Sequence, residues 1–125
     1  MIIISDTEFI GKLTDIGFVL SEELRKSVNF LNELKLRDED KLFLYTEFLN
    51  EIREFMQMLS EKLEAGEFEM LEDKSHELKG VTRNLKFNNL AETLYRIQLS
   101  SSERDTAEVE KSIREFETAI TDYII

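Results

Sequence analysis

The chain of 125 residues has no cysteine, no proline and no tryptophan, and it has only four glycines and one histidine. Without cysteine there is no disulfide framework, no thiolate metal site and no cysteine nucleophile. With no proline and few glycines, turns and strands are poorly provided for and long helices are favoured. No apolar run approaches the roughly 20 residues of a membrane span. Met1-Ile2-Ile3-Ile4 is too short for a signal-peptide core, and Asp6 follows with no basic segment before it. Cations are also in deficit: 16 basic against 27 acidic side chains leave a net charge of −11. Such a chain repels a phosphate backbone and an anionic membrane surface, so neither nucleic acid nor membrane is an expected partner. A soluble cytoplasmic protein is expected, with one domain over 1–125.

What is present is helical periodicity. Ser5 or Asp6 starts a short helix with Phe9, Ile10 and Leu13, limited by Gly11 and Gly17. Ser21 caps a helix striped by Leu24, Val28, Leu31 and Leu34. Asp38 is the expected cap of the next. There Leu42, Tyr45, Leu49, Ile52, Met56, Leu59 and Leu63 repeat at steps of three and four, predicting a helix of about 26 residues. Phe43, Phe48 and Phe55 flank that stripe.

Ala65-Gly66 ends the long helix, and the connection is short enough to turn the next helix back antiparallel. Leu71, Leu78 and Leu85 stripe that helix, which ends near Lys86-Phe87-Asn88, with Asn88 capping its successor. Leu90, Leu94 and Ile97 mark a shorter element, and Ser100-Ser101-Ser102 reads as a polar break. Val109, Ile113, Phe116, Ile120 and Tyr123 stripe the last helix. The reading is all-α: an antiparallel up-down-up-down four-helix bundle over 38–125, with an additional N-terminal helix in a cap over 1–37. Its apolar stripes are used within one bundle, so a monomer is expected.

The only histidine lies mid-helix in Ser75-His76-Glu77-Leu78-Lys79-Gly80. A glycine inside a helix costs roughly 1 kcal/mol against alanine, which asks for a reason. With His76 set at zero and 100° per residue, Leu71, Leu78 and Leu85 fall near 180–220°, opposite the imidazole. Lys79, Gly80 and Arg83 fall at about −60°, +40° and −20°, on its own side. From His76 to Asn89, Lys79, Arg83 and Lys86 stand against Glu77 alone, a local +2. A lone surface histidine is ordinarily just a solvated side chain. Here it has a bare backbone patch at i+4 and a lysine at i+3 able to compensate a dianion. A neutral imidazole, the main form at pH 7, is a competent nucleophile for a phosphoryl group.

Other chemistries fit less well. Glu72 and His76 supply two metal ligands at most, so no metal site is expected. Ser75 falls at about 260°, toward the core, and no nucleophile elbow is present. No glycine-rich phosphate loop exists for a nucleotide. Glu72, one turn before His76, is a candidate for fixing its tautomer through the other ring nitrogen.

The run Leu63-Glu64-Ala65-Gly66-Glu67-Phe68-Glu69-Met70-Leu71, then Ser75-His76-Glu77-Leu78-Lys79-Gly80, then Asn84-Leu85 and Leu90-Ala91 resembles the histidine-containing phosphotransfer (HPt) domain family of phosphorelays. The pattern is similar to L-x-A-G-D-W/F-x-x-L, A-H-x-L-K-G and N-L-G…L-A, and spans about residues 38 to 98. The resemblance implies a four-helix bundle with His76 exposed on its second helix. It implies that His76, through Nε2, accepts a phosphoryl group from a receiver-domain aspartyl phosphate and passes it to another receiver. It further implies that Lys79 steadies that group and Gly80 leaves room for the receiver. The protein is then a phosphocarrier and not an enzyme. It has no cofactor of its own, and Mg²⁺ is expected only in the partner receiver's acidic pocket. Arg83 near the phosphoryl group is a physical inference from helix geometry alone.

Val81 and Thr82 depart from the small residues usual after the glycine, and Lys86 stands at a later family glycine. A left-handed Lys86 costs roughly 1 kcal/mol, or else the helix ends differently. Candidate receiver-contact residues come from the helix at 21–35 and from Phe43, Phe48 and Phe55, although phenylalanines flanking such a stripe more often belong to the core. The alternative readings are an acidic helical adaptor without phosphotransfer and an input domain of a larger chemotaxis-type kinase. Met1 and the last helix lead to the expectation of a free-standing protein.

Overall fold

A computed structural model describes residues 5–125; the Met1–Ile4 run discussed above lies outside them. Six helices follow in order: α1 Asp6–Ile16, α2 Glu22–Glu33, α3 Asp38–Glu64, α4 Phe68–Asn84, α5 Asn88–Ser102 and α6 Thr106–Ile120. Two helices precede α3, at the two places where the sequence predicts them, from Ser5 or Asp6 and after Ser21; the fold-class reading counts only one additional N-terminal helix. Gly17, at φ 124, closes α1, and Ser21 opens α2 by accepting from the Leu24 amide.

The helices start and stop for local reasons. Ser5, Ser21 and Asp105 accept backbone N–H groups of the first turns they precede. Two expected caps do not act. Asp38 lies inside α3 and gives its carboxylate to Lys41 (2.9 Å), whose ammonium also reaches Asn32. Asn88 lies inside α5, and the Leu90 amide of that first turn is met by the Tyr123 hydroxyl from the chain's other end (3.3 Å). At the C-termini, α3, α4 and α5 end alike. Glu67, Phe87 and Asp105 donate back five residues to Lys62, Thr82 and Ser100, around left-handed residues Gly66, Lys86 and Arg104. Lys86 at φ 64 thus takes the strained conformation that glycine takes at residue 66.

Connections of three residues join α3 to α4, α4 to α5 and α5 to α6, and each of these pairs packs together. α3 also touches α6. Between α5 and α6, Arg96 pairs with Glu115 and Ser100 meets Ser112, so these two helices run in opposite directions. One core cluster extends from Phe9 to Ile124. At one end an aromatic group of Phe9, Phe18, Tyr45, Phe48, Phe87 and Tyr123 joins α1, α3 and the C-terminal tail. The tail is fixed by an isolated antiparallel bridge between Phe18 and Ile124. Tyr123 donates its hydroxyl proton to the Glu23 carboxylate of α2 while accepting from Leu90.

Several core assignments change. On α3 the buried series is Lys41, Tyr45, Phe48, Ile52, Phe55 and Leu59, with Leu49 beside it. Met56 is exposed and Leu42 and Leu63 are half-buried. The expected series shares Tyr45, Leu49, Ile52 and Leu59 with the buried residues. The aromatic alternative prevails because rings await it: Phe48 meets Phe87 at 5.4 Å and Phe55 meets Phe116 at 5.6 Å. Leu34 is exposed at the end of α2. The serine triplet is no break but the last turn of α5. Ser100 and Ser102 return their hydroxyls to the carbonyls of Arg96 and Leu99, so the helix persists through them. α5 equals α6 in length and is not the shorter element expected.

Two outcomes follow for stability. Lys35, also left-handed at φ 57, closes α2; Lys35→Gly should raise unfolding free energy by about 1 kcal/mol. Lys86→Gly should raise it less, because the Lys86 ammonium over the Phe30 ring, worth about 0.5 kcal/mol, is lost as well. Urea midpoints of the two variants check the order. Burial pushes the Tyr45 phenol up to about 12, and burial with the Glu23 contact pushes Tyr123 up too. An unfolded phenol ionises near ~10, so above that the unfolded state holds fewer protons. Stability is therefore full below pH 10 and falls as pH rises toward the folded value; Tyr45→Phe should flatten that fall in urea titrations.

Candidate functional site

α4 presents the histidine. Leu71, Ser75, Leu78 and Thr82 are buried on one side of it. The two hydroxyls cost little there, because Ser75 donates to the Leu71 carbonyl and Thr82 to the Leu78 carbonyl, both at 2.6 Å. The opposite side is left to solvent. His76, Gly80 and Arg83 are exposed there, and Glu72 and Lys79 are half-buried at its edge. The helical arithmetic from the sequence therefore placed Lys79, Gly80 and Arg83 on the same side as His76, as found. No hydrogen bond joins Glu72 to His76 among the described residues; the Glu72 carbonyl instead accepts from Ser75 (3.1 Å).

Gly80 is not required by the fold. It has no left-handed backbone, and a Cβ built on it meets no atom within 4 Å. What its missing side chain does is lower the surface one turn from the imidazole.

Lys79 reaches across to α5. Its ammonium donates to Gln98 Oε1 at 2.8 Å and stands 4.9 Å from the centre of the Tyr95 ring. Lys86 sits over the Phe30 ring of α2 at 4.4 Å. Among the described residues none of Lys79, Arg83 and Lys86 forms an ion pair. Lys74, before the histidine, does pair, with Glu77 at 3.7 Å. The charge around His76 is thus uneven: carboxylates at Glu69, Glu72 and Asp73 precede it and three unpaired cations follow it. On the α3 side, burial and the nearby Glu77 and Glu47 raise the Glu51 carboxyl above its usual range. No group of three or more acidic, histidine or cysteine side chains suited to a metal occurs among the described residues.

A family model described as the Hpt domain matches residues 44–123. The chain belongs to the Hpt domain family. No curated protein and no solved structure matches it. Hpt domains are phosphocarriers of phosphorelays and interact with receiver domains. In this Hpt domain the match runs from the second turn of α3 to Tyr123 and contains His76; α1 and α2 lie before it. Among the described residues no helix is long and apolar enough to cross a membrane.

Of the aromatic candidates for a contact surface, Phe48 and Phe55 are fully buried and are core, the other reading of that flank. Phe43 is 63% exposed, and Phe30 of α2 is half-buried beneath Lys86. Sequence reasoning missed Tyr95 and Gln98. They lie 16 and 19 residues beyond Lys79, on another helix, and only the packing of α4 on α5 brings them to it. The one hint in the sequence is a tyrosine on the polar side of the Leu90–Leu94–Ile97 stripe.

Because nothing occupies the space over Gly80, Gly80→Ala should stabilise the fold by about 0.5–1 kcal/mol, the helix-propensity difference. A thermal or urea unfolding curve checks this; a loss of stability would show that the glycine serves packing.

Proposed function

We propose that this Hpt domain carries a phosphoryl group on His76 Nε2, taken from a receiver-domain aspartyl phosphate and passed to a second receiver. The observation that carries the reading is an exposed histidine inside the family match, with open space over the glycine that follows it. The Nε2 lone pair attacks phosphorus in line, forming the P–N bond as the acyl P–O bond breaks. The bonding pair leaves with the receiver's aspartate, and the Nδ1 proton remains on the ring or passes to water. Transfer to the second receiver is the reverse at its own aspartate. Such a reaction asks the carrier for position and charge compensation.

Lys79 supplies the compensation, supported by its place one turn from His76 and its freedom from carboxylate partners. Arg83, exposed and unpaired on the same side, adds to it. Gly80 admits the receiver. Glu72 is assigned the other ring nitrogen on its one-turn spacing alone. The Mg²⁺ of the transfer belongs to the receiver, and the domain needs no cofactor. The bundle reads as up-down-up-down over 38–125 with α1 and α2 as a cap over 1–37, one domain in all. It works as a cytoplasmic monomer whose contact surface includes Phe43 and Phe30.

The test is a receiver charged with acetyl phosphate and mixed with the protein. Acid-labile, base-stable phosphate should appear on wild type and be absent from His76→Gln. Equal labelling of the two sinks the reading; no label on either, with partner binding unchanged, points to an acidic helical adaptor. Gly80→Gln should keep the fold and slow labelling by about tenfold or more, as a misplaced partner does.

A further inference from the structure

What holds Lys79 in place differs from what holds the ion-paired cations of the chain. Lys26, Arg37, Lys41, Lys62, Lys74 and Arg96 each pair with a carboxylate. Lys79 is ordered by neutral groups instead, the Gln98 amide oxygen and the face of the Tyr95 ring. Tyr95 is 38% exposed, and no hydrogen bond of its hydroxyl occurs among the described residues. The ring thus stands on α5 at the α4–α5 seam with its face toward the ammonium.

The distinction has a chemical consequence. A carboxylate would order the lysine but cancel its charge, and would have to be displaced when a phosphoryl group arrived. A ring face attracts the ammonium through its quadrupole and leaves the charge whole. The lysine side chain is long and loses much rotamer freedom when it must act at one place. A seat that restricts it beforehand removes that loss from the reaction itself. The seat also strengthens when a partner covers it, since a desolvated cation–ring contact is worth more than an exposed one.

We infer that Tyr95 is a positioning residue for phosphoryl transfer at His76, its ring holding the Lys79 ammonium at the α4–α5 seam one helical turn from the imidazole. This rests on the phosphocarrier reading above. Tyr95 acts through Lys79 and needs the ring but not the hydroxyl.

Two measurements on the full chain test it. In protein reductively methylated with ¹³C-formaldehyde, the Lys79 methyl signal, assigned with Lys79→Arg, should be displaced upfield by the ring. The displacement should persist in Tyr95→Phe and vanish in Tyr95→Ala. In transfer from an acetyl-phosphate-charged receiver, Tyr95→Ala should slow labelling of His76 by about tenfold and Tyr95→Phe by less than about twofold. In a Lys79→Ala background, adding Tyr95→Ala should slow transfer no further. Circular dichroism confirms that each variant is folded.

If wild type is labelled and Tyr95→Ala transfers as fast, only this inference falls. It falls also if Tyr95→Phe is as slow as Tyr95→Ala, or if Tyr95→Ala slows transfer equally without Lys79, which would make it a docking contact. If wild type takes no label at all, the phosphocarrier reading falls first and this inference with it.

Discussion

The close packing of α4 on α5 is the constraint from which the site follows. One side of α4 is committed to the core by Leu71, Leu78 and Leu85, and between them stand two small hydroxyl residues, Ser75 and Thr82. Their hydrogen bonds to carbonyls four residues back let polar side chains sit in an apolar seam without an unpaired group. With 100° per residue, that commitment leaves His76 no direction but outward. The same seam brings Lys79 within reach of Tyr95 and Gln98. Exposure of the histidine and seating of the lysine are thus two results of a single packing arrangement.

Charge is organised around the histidine against the trend of the chain. The whole molecule is strongly acidic, and the acidic half of α4 agrees with it. After His76, Lys79 is held by a ring and an amide and Lys86 by a ring, not by carboxylates. A helix favours this order of charge along its axis, since its N-terminal end attracts acids and its C-terminal end attracts bases. The dipole explains the direction of the gradient. It does not place the ammonium groups of Lys79 and Lys86; their neighbours on α5 and α2 do.

Much of the fold was legible because it follows from local rules. The long α3, its end at Gly66, the Leu71–Leu78–Leu85 stripe and the cap at Ser21 all come from period and terminal chemistry. What was misread involves choices between near-equal local alternatives. Two apolar series overlap on α3, and ring contacts from other helices decide between Phe55 and Met56. Asp38 had two uses, and a buried lysine took it from the helix end. The serines at 100–102 suited either a turn or a helix whose carbonyls they bond, and Ser112 on α6 is one reason the helix wins. At α5 the cap comes from Tyr123, 33 residues on from Leu90, a distance no local motif spans.

For the site, the sequence by itself determined that His76, Lys79, Gly80 and Arg83 share one side of one helix, and that leucines hold the other. That is a consequence of helical period and needs no neighbours. That Gly80 does not serve packing was decided only by the tertiary structure, because the answer depends on which atoms stand over it, and none do. The seat of Lys79 was likewise a tertiary decision. Side-chain spacing along one helix says where an ammonium starts, and only the helix packed beside it says where the ammonium ends.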